Sequence, residues 1–320
     1  MARNRIKMAM LAVSVLIIAL LIVYADPGKF AQLLAKSDYR FVLAAVLLSS
    51  FNILVLRILK WQLLLEKESF ATVVPVQLLG VTISNLSPGK IAEPIKSVIL
   101  KLHSGKPVSS SLPSVIWERI LDLISLIFLS FVAMFFFTTI DTSLFLISLA
   151  GTFIFILIII VAVGFLYSRR IRNWVLRIVK KLPVLKNISE GFMKNFAKIK
   201  IPRKRLFYSF VVTLAAWLIE GVLLWLVFLA LGISLSPLFL ASIFALATVI
   251  GVITALPGGI GSTEIVMTLF LGAVGIDYST AIAGVLLYRF LSIWYFNLLG
   301  GISLVYITKK LRISYNSLLS

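Results

Sequence analysis

The chain has no cysteine, a single histidine (His103) and only 12 acidic residues among 320. Thiol catalysis, disulfides and cysteine-held metals are therefore excluded. One histidine with no acidic cluster beside it gives no metal site, so no metal and no cofactor is expected. There is no Walker-type glycine-rich loop, which argues against direct use of ATP. No RNA- or DNA-binding motif occurs either, and nucleic acid is not an expected partner. Charge of any kind is scarce, at 13% of residues against 61% hydrophobic, with a mean hydropathy of +1.09. A soluble chain of this length could not hide so much apolar surface, so the fold expected is an all-α, polytopic membrane protein occupying residues 1–320 as a single domain. The formal net charge of +19 reports topology and affinity for anionic lipid.

Arg3, Arg5 and Lys7 precede an apolar run from Met8 to Tyr24, which places the N-terminus in the cytoplasm. Val23-Tyr24-Ala25 resembles a signal-peptidase site, but the run is longer than an ordinary signal core. Phe41 to Leu59 returns inward, with Arg57 and Lys60 beside Trp61 where basic and aromatic side chains anchor a helix at the headgroups. Leu112 to Phe137 ends in a loop without basic residues, Thr138 to Ser143, expected outside; Leu144 to Tyr167 comes back in. The segment 168–205 is strongly basic, and within it Ile171, Trp174, Val175, Ile178, Val179 and Leu182 form an apolar stripe. That spacing predicts an amphipathic helix on the cytoplasmic leaflet; a solvated basic loop would explain the charge but not the stripe. Leu206 to Leu231 crosses outward and Ser279 to Thr308 returns, ending in Lys309, Lys310 and Arg312, which keeps the C-terminus cytoplasmic.

Two stretches interrupt this pattern. Ser84 to Glu93 reads Ser-Asn-Leu-Ser-Pro-Gly-Lys-Ile-Ala-Glu, and Leu256 to Glu264 reads Leu-Pro-Gly-Gly-Ile-Gly-Ser-Thr-Glu. Each places Pro-Gly, which ends helices, ahead of a glutamate, and each glutamate is followed about seven helical turns later by an arginine, Arg119 or Arg289. Loop charges require residues 71–106 to leave and re-enter the cytoplasmic side, and 238–276 the outer side. The reading is an inverted repeat, units 41–137 and 206–308, giving six full spans and two oppositely oriented re-entrant helical hairpins whose tips meet near mid-membrane. Eight or more complete crossings is the rival count. It would set the charged arm Lys90 to Lys101 against a cavity along its whole length.

A helix opened inside a bilayer exposes backbone N–H groups, and the helix restarting after the break carries partial positive charge. Gly89, Gly258, Gly259 and Gly261 leave that backbone accessible to an anion. Pro94 suits the first position of a helix capped by Glu93, and Ser262 or Thr263 suits the cap of the matching arm. Arg119 and Arg289 supply guanidinium forks matched to phosphate or carboxylate. The plainer alternative is a pair of buried ion pairs, Glu93 with Arg119 and Glu264 with Arg289, fastening each hairpin to its neighbour. Glu118 and Asp122 flank Arg119 and tune its charge or satisfy the helix start. Glu220 lies mid-span with no basic residue near it in sequence; it serves either proton coupling or a pair with another helix. Lys90 and Lys96 attract headgroups or snorkel to the interface, and His103 is expected to be solvated.

Together, Asn85, Leu86, Pro88, Gly89 and Glu93, then Glu118, Arg119 and Asp122, then Pro257, Gly258, Gly259, Gly261 and Glu264, and finally Arg289 resemble the flippase-like family that includes the transmembrane region of lysylphosphatidylglycerol synthases, the multiple peptide resistance factors. The resemblance implies movement of charged or glycosylated lipids between leaflets of the plasma membrane. Its cargo would be an anionic phospholipid or a polyprenyl-phosphate lipid. The soluble aminoacyltransferase domain that follows this region in two-part synthases is absent from these 320 residues, so lysyl transfer, and enzymatic activity generally, is not expected. A membrane glycosyltransferase or accessory protein acting on polyprenyl-phosphate sugars is the alternative, and a non-transporting scaffold for a lipid-modifying enzyme a third. A homo-oligomer or such an enzyme partner is compatible with all three.

Overall fold

The structure is a computed structural model that describes residues 27–87, 89–90, 92–137, 201–254 and 256–311, with isolated residues elsewhere. The expectations for the first apolar run, for 138–167 and for most of the basic segment fall outside the described residues, as does Pro88.

All regular structure among the described residues is helical. In chain order the helices are α1 (Pro27–Lys36), α2 (Tyr39–Gln62), α3 (Phe70–Asn85), α4 (Ile95–Ser104), α5 (Val108–Phe137), α6 (Arg203–Ala230), α7 (Pro237–Ile253), α8 (Ser262–Ala273) and α9 (Tyr278–Lys310). Three of them, α2, α6 and α9, are long and apolar enough to cross a membrane; α3, α7 and α8 are shorter apolar helices. α5 is as long, at 30 residues, but carries Glu118, Arg119 and Asp122 in its first half.

Several helix starts follow from their first residues. Ser69 accepts from the Thr72 amide at 3.2 Å, Asp277 from Thr280 at 3.2 Å, and Ser236, followed by Pro237, from Phe239 at 3.5 Å. α4 stops at Gly105, whose φ of +80° terminates a helix without a Cβ clash. The sequence expectation for the α4 start does not hold: the helix begins after Pro94, and Glu93 turns its carboxylate to the side chains of Lys96 and Arg119 rather than to amides. At α8 neither Ser262 nor Thr263 is the cap. Gly261 precedes the helix with φ +94°, and Glu264 reaches back to accept its N–H at 2.7 Å.

The packing joins the two halves reciprocally. α3 lies against the last part of α9, while α7 lies against α5 and α6, so the first arm of each broken pair packs on the final long helix of the other half. One apolar core runs through α6 to α9 and takes in Phe228, Phe244, Phe270 and Tyr288; a second, around Trp61, Val76, Ile99 and Val115, packs α2 to α5 together. The outward faces keep large apolar side chains exposed, among them Phe128, Phe207, Leu269, Leu298 and Ile302. On a protein of this composition such a surface suits lipid.

Candidate functional site

The two helix breaks meet. A methyl group built on Gly258 would lie 3.3 Å from the carbonyl oxygen of Asn85, and the Asn85 amide donates to Asn297 Oδ1 on α9 at 2.9 Å. Both breaks use left-handed backbone: Gly89 at φ +55° with Lys90 at +59°, and Gly258 and Gly259 at +61° and +66°. At Gly259 a Cβ would also collide with the Thr263 hydroxyl at 2.7 Å, so the turn needs glycine on two counts.

Each break is tied to its arginine. Arg289 Nε donates to Glu264 Oε1 at 2.6 Å and its Nη2 to the Gly258 carbonyl at 3.3 Å, so a single guanidinium holds both the start of α8 and the turn before it. Arg119 Nε lies 3.4 Å from Glu93 Oε2, a looser version of the same pairing. On the first break, Ser84 Oγ donates to the Lys90 carbonyl at 3.2 Å, while Ser87 Oγ accepts the Ala92 amide at 3.0 Å.

Behind the first break sits a charge network spread over α2, α4, α5 and α6. Lys60 Nζ lies 2.6 Å from Asp122 Oδ1 and 3.5 Å from Glu118 Oε1. Lys96 donates to Glu118 Oε2 and lies 3.4 Å from Glu93. Gln77 adds a donor to Glu118 at 2.8 Å, and Trp217 Nε1 one to Asp122 at 2.9 Å. Glu220 accepts from Arg57 at 2.6 Å, from Asn52 at 2.9 Å and from the Tyr288 hydroxyl at 2.6 Å. Arg57 also stands over the Trp217 ring, 5.2 Å from its centre. Low dielectric makes such pairings strong and makes an unmatched charge expensive, which is why the groups arrive in sets.

Several expectations are corrected here. Arg57 and Lys60 are not interfacial anchors: Lys60 and Trp61 are buried, and Arg57 is tied to the second half of the chain. Lys96 does not snorkel, since it is fully buried and stands 4.9 Å from the Trp61 ring centre. Glu118 and Asp122 do more than adjust Arg119, being the acceptors for Lys96 and Lys60. Glu93, Glu118 and Asp122 bring carboxylate oxygens within 4.8 Å of one another, a spacing that could serve a metal ion. Lys60, Lys96 and Arg119 already lie against those oxygens, and a cation would have to displace them.

Between the breaks lies a cleft of about 710 Å³, counting its open mouth. Asn85, Gly89 and Lys90 form one wall, Gly258 and Gly259 the other, with Arg57, Glu220 and Arg289 at its back. A smaller cavity adjoins it, lined by Lys90, Glu93, Glu118, Arg119 and Asp122. Most of the residues singled out in the sequence thus converge on two spaces that share Arg57 and Lys90 in their lining. Pro257 and Gly261 are buried in the second break, and Glu264 acts through Arg289. The residues that sequence reasoning passed over are Asn52, Gln77, Tyr288 and Asn297, while Arg57, Lys60 and Lys96 take part in the network instead of the roles expected of them.

Comparison with known proteins identifies the family. The family model described as lysylphosphatidylglycerol synthase TM region matches residues 11–300. A UPF0104 membrane protein of Methanothermobacter thermautotrophicus is 28% identical over 93% of this chain and 94% of its own length. Another, from Pyrococcus horikoshii, is 27% identical over 96% of this chain and 99% of its own. A phosphatidylglycerol lysyltransferase of Bacillus subtilis is 26% identical over 33% of this chain and 12% of its own length. The chain belongs to the lysylphosphatidylglycerol synthase transmembrane-region family and is a membrane protein.

Proposed function

We propose that this member of the family is a lipid transporter rather than an enzyme, and that it binds the headgroup of an anionic or phosphate-bearing lipid in the cleft between its two helix breaks and moves it between leaflets. The observation that carries the reading is the meeting of Gly89–Lys90 and Gly258–Gly259 around a cleft into which Arg57, Lys90, Glu220 and Arg289 bring charge, inside a body whose outer faces are apolar. The cleft is open at its mouth, so acyl chains can remain against the exposed apolar faces while the headgroup reaches the charged side chains. In this account the breaks are the tips of two re-entrant hairpins entering from opposite faces, within six full spans and with both termini cytoplasmic in the plasma membrane. The reciprocal packing of α3 on α9 and of α7 on α5 supports the two-fold relation. The partial likeness to a phosphatidylglycerol lysyltransferase favours phosphatidylglycerol or its aminoacylated form as the headgroup to test first; a polyprenyl-phosphate lipid is the second. Glu220, with three donors already on it, fits a clamp between halves better than a proton carrier.

Reconstitution tests the proposal. Vesicles containing the protein and a trace of fluorescent phosphatidylglycerol should lose more than half their signal to a membrane-impermeant quencher, where protein-free vesicles lose only the outer-leaflet half. If fluorescent phosphatidylglycerol and polyprenyl phosphate both stay where they were placed, the transport reading fails.

A further inference from the structure

Among the described residues, the charges of the site balance except at one residue. Four cations, Arg57, Lys60, Lys96 and Arg119, face four carboxylates, Glu93, Glu118, Asp122 and Glu220, and Arg289 is matched by Glu264. Lys90 is the cation left over: its ammonium makes no hydrogen bond or ion pair among the described residues, although it is half-buried and lines both the cleft and the adjoining cavity. We propose that Lys90 is the phosphate-binding residue of the cleft, its ammonium taking the phosphate group of the ligand as the counter-charge that the protein does not itself provide.

Three further features point the same way. Lys90 sits at φ +59°, a left-handed conformation that costs a residue with a Cβ and costs glycine nothing. A turn alone would be better served by glycine, as at Gly89 before it and at Gly258 and Gly259 across the cleft, so the lysine brings something besides the turn. Two residues of the same cleft hold donors in waiting: Arg57 and Ser292 are among its lining, and Arg57 Nε and the Ser292 hydroxyl are buried without a hydrogen-bond partner. Buried donors left unpaired are costly, and phosphate oxygens would satisfy them. Arg119 and Arg289, unlike Lys90, are each engaged with a glutamate.

This inference rests on the headgroup reading above, and the experiment separates the two. The full chain in detergent is titrated with dihexanoyl phosphatidic acid, with inorganic phosphate and with the uncharged dihexanoylglycerol, for the wild type, Lys90→Gln, Lys90→Arg and, as a control cation on the exposed face of α4, Lys101→Gln. The expected result is at least a tenfold weaker affinity for phosphatidic acid in Lys90→Gln, near wild-type affinity in Lys90→Arg and Lys101→Gln, and an unchanged melting temperature in all three. Equal weakening, or none, in Lys90→Gln and Lys101→Gln overturns the assignment to Lys90 while wild-type preference for phosphatidic acid over dihexanoylglycerol still upholds the headgroup reading. Inorganic phosphate binding as tightly as phosphatidic acid, and lost in Lys90→Gln, supports Lys90 but makes the ligand a free phosphate. Wild-type protein that prefers neither phosphate-bearing probe overturns both.

Discussion

Arg57 Nη2 lies 2.6 Å from Glu220 Oε1, a contact that spans 163 positions of sequence and joins α2 to α6. Asn52 and Tyr288 close on the same carboxylate from α2 and α9, so three long helices are held at one point on the wall of the cleft. Two π-helical turns flank this clamp, Asn52–Leu56 just before Arg57 and Phe290–Trp294 just after Arg289. Each shifts the register of its helix by a residue, as π-turns near functional sites do.

Breaking this pair from one side should be worse than removing it. Arg57→Leu or Glu220→Leu leaves a buried charge alone, a loss of about 3–5 kcal/mol for a buried pair. The double substitution should recover a large share of it. Thermal unfolding of the three variants in detergent gives the coupling; additive single effects would show that the pair does not act as a unit.

The two break-holding glutamates should differ in weight. Glu264 accepts from both the Gly261 amide, at 2.7 Å, and Arg289, at 2.6 Å, whereas Glu93 has its cations at 3.4 Å. Glu264→Gln should therefore lower the melting temperature more than Glu93→Gln. The reverse order would mean that the shorter contacts are not what holds the breaks.

Glycines test the helix packing. A Cβ at Gly221 would lie 2.8 Å from the backbone nitrogen of Ala241, so Gly221→Ala must push α6 from α7 and should cost about 1–3 kcal/mol. At Gly301 nothing stands within 4 Å of an added Cβ, so Gly301→Ala should be neutral or stabilising by about 0.5–1 kcal/mol. Comparable losses at both sites would contradict the close α6–α7 approach.

Opposite entry of the two broken pairs is tested without background labelling, because the chain has no native cysteine. A cysteine replacing Lys106 should react with a membrane-impermeant thiol reagent only from the cytoplasmic side, and one replacing Ile276 only from outside. Labelling of both from one side would end the inverted-repeat reading.

The helical class, the two breaks and the glutamate–arginine pairing at each could be read from the chain because each rests on local signals: apolar length, Pro-Gly punctuation and repeated spacing. The charge network could not, because which faces of α2, α4 and α6 turn toward one another is set by packing. Arg57, Lys60 and Lys96 look in sequence like residues near the ends of apolar runs, the usual place for snorkelling cations, whereas packing makes them core. One signal was available. Asp122 and Glu220 lie in apolar stretches with too few cations nearby on their own helices, and the cost of a lone buried acid required donors from elsewhere; Lys60 and Arg57, three residues apart on one face of α2, supply them.

The most direct measurement of the cleft's role is native mass spectrometry of the purified wild type beside Thr248→Trp, a substitution that fills the cleft from α7 without touching a charge. The account predicts a phosphate-bearing lipid retained by the wild type and lost from the variant. Identical lipid retention by the two proteins, or retention of uncharged lipid only, would contradict it.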